Sequence, residues 1–417
     1  MKKTLALLLA VITLLISAVP ALAEDEEIIR TTMPDITNSK YALLYEDTTD
    51  TWMYMKDIDV QNAPASMTKV MTAVLVIEND PDLSGVATVS KKAISNQYCY
   101  WLDDFHLVEG EEMSVADLMH YLLIPSGNEA GTVLAEYIAG DIDVFIQMMN
   151  DKAKEIGMKN TVYKDPHGLS DYSRVTCEDM LLLGKYAMQY EQFRNIVNQT
   201  TYMLPATNKH SKPHLLRNTN RVLRPEGVAE YKTGFEQDIL GIKTGFITVA
   251  GNNLSCCMQH DDLKFYSVVM HAHDQQNEAG EWLEYHFVDT AELMKWARSY
   301  KKVGAAAGTE GISDVGTKFS TTKNVSYKVK DDVYILSQDE NYQPAYTFAE
   351  LGWKVKAGDV IGTVAYSDDF GNIRTSDLVA AADARTSFRL LIGAIFVAVA
   401  LGFSAGGLKR KKAKNAK

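Results

Sequence analysis

The sequence predicts an α/β chain of the α+β kind, followed by a small all-β domain and one membrane-spanning helix. Three observations predict it. Residues 41–297 mix helical and strand patterns without low complexity, residues beyond 304 alternate in short runs divided by Gly and Asp, and residues 390–408 carry no charge.

The elements follow in chain order. Residues 1–23 read as an export signal: Lys2 and Lys3 precede an apolar stretch that ends on Ala21-Leu22-Ala23, a small-x-small cleavage pattern, and an acidic run follows. The body then spans 24–303, long enough to bury a core of its own. AAAGTEG reads as a linker, and VSYKVKDDVYILS and KAGDVIGTVAYSDD place a β-rich domain at 304–380. A transmembrane helix is expected over 388–408, because its 19 uncharged residues at about 1.5 Å each span roughly 28 Å, close to a bilayer's hydrocarbon thickness. The tail 409–417, KRKKAKNAK, has six positive charges, which keep it cytoplasmic and put the body on the extracytoplasmic face of a single-pass protein.

The net charge is −12. Lys2, Lys3 and the tail hold eight of the positive charges, so the exported remainder is more acidic still. That excludes nucleic acid as an expected partner. It also means that any anionic substrate must be met by a local cation. The four cysteines, Cys99, Cys177, Cys256 and Cys257, lack a C-x-x-C pattern and are expected as buried free thiols. Cys256 and Cys257 would point to opposite faces of one strand. His271 and His273 share a strand face, but no third ligand is evident and no metal is expected.

The chemistry begins at NAPASMTKVMTAVLVIEN. Pro64 suits a helix start, and the apolar residues 70–77 continue as a largely buried helix. Ser66 and Lys69, three apart, share one face of it. Apolar surroundings and the positive end of the helix dipole both disfavour the charged form of Lys69, so a neutral amine would sit beside a hydroxyl, a general base beside a nucleophile. Two further S-x-x-K matches, Ser299–Lys302 and Ser320–Lys323, lie in polar stretches with no buried helix start.

In HYLLIPSGNEAGTVLAEYIAG, Pro125 ends one helical pattern and a second begins after it, leaving Ser126-Gly127-Asn128 in a tight connection. It is the chain's one S-x-N. A plain helix cap is the alternative reading, and the presence of Ser66 and Lys69 decides against it. KTGF occurs twice. The copy at Lys243 lies in an apolar strand pattern, where Thr244 and Gly245 line a cleft edge and Gly245 lets a ligand approach the backbone. Lys243 supplies the cation for a carboxylate. The copy at Lys232 falls in a polar surface turn.

PASMTKVMTA, PSGNEAG and GIKTGFITVAGNNL, in that order and spacing, resemble the three signature motifs of the serine-type D-alanyl-D-alanine carboxypeptidases, the low-molecular-weight penicillin-binding proteins. FIQMMNDKAKEIGMKNTVYKDPHGLSD extends the likeness, which covers residues 41–273. The resemblance implies a penicillin-binding-protein/β-lactamase-like domain, its mainly antiparallel sheet flanked by helices. It implies that Ser66 attacks the penultimate D-alanine carbonyl of a peptidoglycan stem peptide ending in D-Ala-D-Ala. Lys69 then takes the proton, Ser126 passes one to the leaving amine, and Asn128 holds the peptide. Lys243 and Thr244 bind the terminal carboxylate beside Gly245, and the amides of Ser66 and Phe246 form the oxyanion hole. It implies no metal or organic cofactor, β-lactam antibiotics as covalent inhibitors, and the lipid bilayer as a partner through the C-terminal helix.

Phe246 stands where many relatives have histidine, and the stretch before Gly241 is longer than usual, which predicts a loop beside the cleft. The alternatives are a β-lactamase, a transpeptidase or endopeptidase of the same superfamily, and a non-catalytic β-lactam-sensing receptor. The E-x-x-L-N glutamate of class A β-lactamases does not occur, and a cytoplasmic side of about nine residues is short for a signalling domain.

Overall fold

The computed structural model describes residues 32–95, 105–277, 279–318, 324–339, 341–385 and 392. The export signal, Cys99, the basic tail and, apart from Ile392, the expected transmembrane helix lie outside the described residues. Among those described, no helix is long and apolar enough to cross a membrane. The described residues from Met33 onward belong to one compact unit.

The chain opens with a hairpin, β1 (Ser39–Glu46) and β2 (Thr51–Lys56), then a 3-10 turn (Ala65–Thr68) leading directly into α1 (Lys69–Asn79). A helical lobe follows. It contains the short strands β3 (Val86–Thr88) and β4 (Glu112–Ser114), then α2 (Val115–Leu123), α3 (Asn128–Ala139), α4 (Ile142–Ile156), α5 (Cys177–Ala187) and α6 (Glu191–Val197). The short strands β5 (Thr201–Leu204) and β6 (His214–Arg217) lead back to three long ones, β7 (Ile239–Ile247), β8 (Gly251–His260) and β9 (Leu263–Ala272), and then to α7 (Tyr285–Arg298).

The long strands and the first hairpin form one antiparallel sheet in the order β2-β1-β9-β8-β7. Both faces are buried, so β8 and β9 read as nearly continuous apolar runs rather than clean alternations. Cys256 points into the layer under α7 with Leu293, Met294 and Trp296, whereas Cys257 faces the helical lobe. Adjacent residues of a strand face opposite sides, so no bridge joins them. With Cys177 they are buried free thiols.

Helix α1 runs through the middle of the helical lobe. Every residue from Lys69 to Ile77 is buried, which is why its sequence is apolar all round rather than striped. Three of the lobe's other helices are locally capped. The Ser114 hydroxyl accepts from the Asp117 amide at the start of α2, the Thr176 hydroxyl accepts from Asp179 at α5, and Gly157 ends α4 in a left-handed conformation.

From Lys301 to Arg385 the described elements are all strands. Five of them, Glu310–Ile312, Ser326–Val329, Ile373–Ala380, Val360–Ser367 and Ala345–Phe348, form a second antiparallel sheet in that spatial order. The stretch expected as a linker is partly built into strands, with Lys301–Ala305 pairing against Val333–Ser337. These strands rest on the body. Phe370 packs edge-on to Trp296, and Arg374 donates to the carbonyl oxygens of Thr49 and Asp50.

Candidate active site

The site forms where the 3-10 turn, the α2–α3 connection and the edge strand β7 meet. Ser66 sits inside the turn and Lys69 is the first residue of α1, so the two do not share an α-helix as the spacing suggested. The 3-10 turn serves the pairing better, because side chains three apart eclipse there. Lys69 Nζ lies 2.7 Å from Ser66 Oγ.

Lys69 is fully buried. Its Nζ also donates to Asn128 Oδ1 at 2.8 Å and to the His167 carbonyl oxygen at 2.7 Å. Two of these partners can only accept. A neutral amine donating to both can turn its lone pair toward the Ser66 hydroxyl, a partner able to donate back.

The S-x-N connection is tightly constrained. Ser126 adopts φ 71°, a left-handed conformation that a side-chain-bearing residue holds only when its surroundings impose it. A Cβ on Gly127 would overlap the Tyr121 ring, so this position requires glycine. Asn128 then opens α3 with its side chain directed at Lys69.

Lys243, Thr244, Gly245 and Phe246 lie on β7, the sheet's edge strand, as the apolar context indicates. Gly245 has a structural reason that the sequence did not show. A Cβ there would stand 2.8 Å from the Pro64 carbonyl oxygen and 3.1 Å from the amides of Ser66 and Met67. Glycine therefore lets β7 lie against the turn that holds Ser66. Lys243 is buried, with Nζ 3.4 Å from Thr244 Oγ1 and 3.5 Å from Thr219 Oγ1. The two threonine hydroxyls are 2.6 Å apart. The lysine charge thus lies behind a pair of hydroxyls. The other KTGF copy is a loop, as its polar context indicates, with Lys232 exposed after a short 3-10 turn.

A cleft of about 450 Å³ opens over these groups, lined on one side by Ser66, Ser126, Thr244, Gly245 and Phe246. The cleft is also lined by Arg217, Thr219, Arg221 and Arg224, from the long stretch before Gly241, together with His286 of α7. Phe246 is half exposed in this cleft.

Residues 165–170 complete the site and carried no individual assignment in the sequence reading, although DPHGLSD was part of the likeness. Asp165 accepts from the amides of His167, Gly168 and Ser170, folding the loop so that the His167 carbonyl reaches Lys69. Gly168 has φ 90°, and a Cβ there would overlap the Ala65 carbonyl oxygen. The available signal was an Asp three residues before a Gly, a common loop pattern.

The His167 ring is buried, and its pKa is pushed down to about 4, chiefly by desolvation, which outweighs the opposing Asp165 charge. Its Nδ1 accepts from the Leu169 amide, which suits a neutral ring. Burial, then Arg221, drives His286 down to about 3. Both imidazoles bind protons more weakly folded than unfolded, so their contribution to stability is complete above about pH 6.5 and is lost as pH falls toward these values. The cost at pH 5 is up to about 2 kcal/mol for each. The melting temperature should therefore be lower at pH 5 than at pH 7.5, and His286→Gln should flatten that dependence. An unchanged slope in calorimetry would show that His286 does not contribute.

The profile of the family Peptidase_S11, D-alanyl-D-alanine carboxypeptidase, matches residues 28–274, more than half of the chain. The chain belongs to this family. Among the D-alanyl-D-alanine carboxypeptidases, DacF of Bacillus subtilis is 27% identical over 389 residues, covering 91% of this chain and 94% of its own. DacC of Escherichia coli is 28% identical over 330 residues, 76% of each chain. Among solved structures, the fold is similar to that of the carboxypeptidase DacD from Francisella tularensis, with a TM-score of 0.65, 22% identity, and coverage of 89% of this chain and 99% of that one. The penicillin-binding-protein fold is therefore shared across the family match, and Ser66, Lys69, Ser126, Asn128 and Lys243 all fall inside it.

Proposed function

We propose that the chain is a serine-type D-Ala-D-Ala carboxypeptidase that removes the terminal D-alanine from peptidoglycan stem peptides through an acyl-enzyme on Ser66. One observation carries this reading: a buried lysine amine 2.7 Å from the hydroxyl of a serine that faces the cleft.

The steps follow from the geometry. Lys69, with two N–H groups committed to Asn128 and His167, takes the Ser66 proton as Oγ attacks the penultimate carbonyl carbon. The oxygen becomes negative as the carbon turns tetrahedral. The amides of Ser66 and Phe246, brought together because Gly245 lets β7 approach the turn, stabilise it. Ser126 hands a proton to the departing nitrogen as the C–N bond breaks. The substrate's carboxylate rests on the Thr219 and Thr244 hydroxyls with the Lys243 charge behind them. An edge strand also leaves backbone groups free to pair with an extended peptide. Water then attacks the ester and releases the shortened peptide.

A β-lactam presents a strained amide to the same serine and is expected to leave a long-lived adduct. The sequence supports an extracytoplasmic location, with residues 1–23 as export signal and 388–408 as membrane anchor. Incubating the enzyme with a peptide ending in D-Ala-D-Ala should release free D-alanine, and labelled penicillin should mark Ser66. Ser66→Ala should lose both signals. Rapid turnover of the antibiotic would favour a β-lactamase, and an adduct without D-alanine release would favour a receptor.

A further inference from the structure

The cleft wall beyond Thr244 carries three guanidinium groups that the steps above do not use. Arg217, Arg221 and Arg224 all line it, in a chain of net charge −12. Two carboxylates accompany them: Glu284 accepts from Arg221 Nη1 at 2.8 Å, and Glu226 pairs with Arg224. Three positive groups therefore face two negative ones.

Arg221 and Arg224 are held in place rather than waving from the surface. Arg221 stacks over the Tyr231 ring, 4.8 Å from its centroid, and Arg224 Nη2 donates to the Asn218 carbonyl oxygen at 3.1 Å. The Nε atoms of both are buried and have no hydrogen-bond partner among the described residues. Burial weakens the hold of Arg224 on its proton, and the charges of Arg217 and Arg221 add to that, so the three groups feel one another. His286 in the same wall stays neutral near pH 7 and does not cancel or add charge. With two of the three guanidinium groups ion-paired, one positive charge remains over, and the buried Nε–H groups of Arg221 and Arg224 add donors with no acceptor among the described residues, so the wall suits an anion.

The location says which anion. Asn218 and Thr219 link the arginines to Thr244, because the Thr219 hydroxyl lies 2.6 Å from that of Thr244, where the terminal carboxylate is placed. The arginine wall therefore continues the cleft on the side of the leaving residue, away from the acyl group on Ser66. A leaving D-alanine has one carboxylate and a methyl group, too short to use it.

We propose that Arg221 and Arg224 form a second anionic subsite for a leaving residue that carries an extra carboxylate, so that the enzyme also cleaves D-Ala–X bonds in which X is an acidic residue. This rests on the carboxypeptidase reading above. The bond broken and the proton transfers are unchanged, and only the departing amine differs.

The test uses three peptides with the same acyl part and D-Ala at the penultimate position, ending in D-Glu, D-Gln or D-Ala. D-Glu and D-Gln match in shape and differ by one charge. For the unaltered enzyme, kcat/KM for the D-Glu peptide should exceed that for the D-Gln peptide by at least about tenfold, and the ratio should shrink as salt rises. In Arg224→Gln the ratio should fall toward one, while Arg224→Lys should retain part of it. The penicillin acylation rate of each variant reports whether the nucleophile is intact. Equal rates for D-Glu and D-Gln peptides, or a ratio that survives Arg224→Gln and Arg221→Gln together, would overturn the subsite. Failure to cleave even the D-Ala peptide would instead remove the carboxypeptidase reading itself.

Discussion

A Lys69→Arg enzyme is expected to fold normally and to acylate about 10³-fold more slowly than the unaltered protein. Arginine keeps a positive charge and can still donate hydrogen bonds, so an electrostatic role for Lys69 would survive the change. What arginine cannot do is give up its proton near neutral pH. The structure makes the distinction sharp, because the Lys69 amine is committed to Asn128 Oδ1 and the His167 carbonyl, and its remaining direction meets Ser66 Oγ. The loss should fall on the acylation rate constant measured with labelled penicillin, with the circular dichroism spectrum unchanged. Acylation within about tenfold of normal, in a folded protein, would take Lys69 out of the role of base.

Gly168→Ala should be nearly as damaging, although Gly168 touches no substrate. Its φ of 90° disfavours any side chain, and the added methyl would overlap the Ala65 carbonyl oxygen, one peptide from the nucleophile. Either the 165–170 loop retreats, removing the His167 carbonyl from Lys69, or the turn holding Ser66 shifts. A displacement near 1 Å at the reacting atoms costs about 10²-fold in rate. The strain should destabilise the fold by about 2–4 kcal/mol. Thermal melting, together with acylation measured well below the transition, separates the two effects. A variant that melts lower yet acylates at the normal rate would show that the loop's closeness to Ser66 is structural only.

Both predictions concern contacts that differ in how far they could be read from the chain. Ser66 and Lys69 are three residues apart, and any tight helical turn brings such a pair together. The spacing therefore announced the pairing even though the turn proved to be 3-10 rather than α. Lys243 was distinguishable from Lys232 because strand burial requires an apolar run on both sides, and one copy of KTGF has it. Cys256 and Cys257 followed from strand alternation alone. Gly245 was identified as special, but its closeness to the turn that holds Ser66 was not foreseen. A sequence shows that a backbone must come close to something without showing whether that something is a ligand or the Pro64–Met67 turn.

Other features were hidden by their chemistry. The third partner of Lys69 is a backbone carbonyl, that of His167, and every residue has one. The Thr219–Thr244 hydroxyl pair, 2.6 Å apart, joins Thr244 to a threonine 25 positions away that the motif does not include. The arginines of the cleft wall belong to no motif and carried no assignment from the sequence.

Residue chemistry and short-range spacing were determined by the sequence itself: which serine has a lysine one turn away, which lysine lies in a strand, which glycines the backbone demands. The tertiary structure alone decided which carbonyl holds the Lys69 amine, which hydroxyls screen Lys243, and which charges face the leaving residue. Local geometry follows from bond lengths and dihedral angles that every chain shares. Contacts between distant segments depend on how whole layers pack, and that information is spread over the entire core rather than written beside the residues that meet.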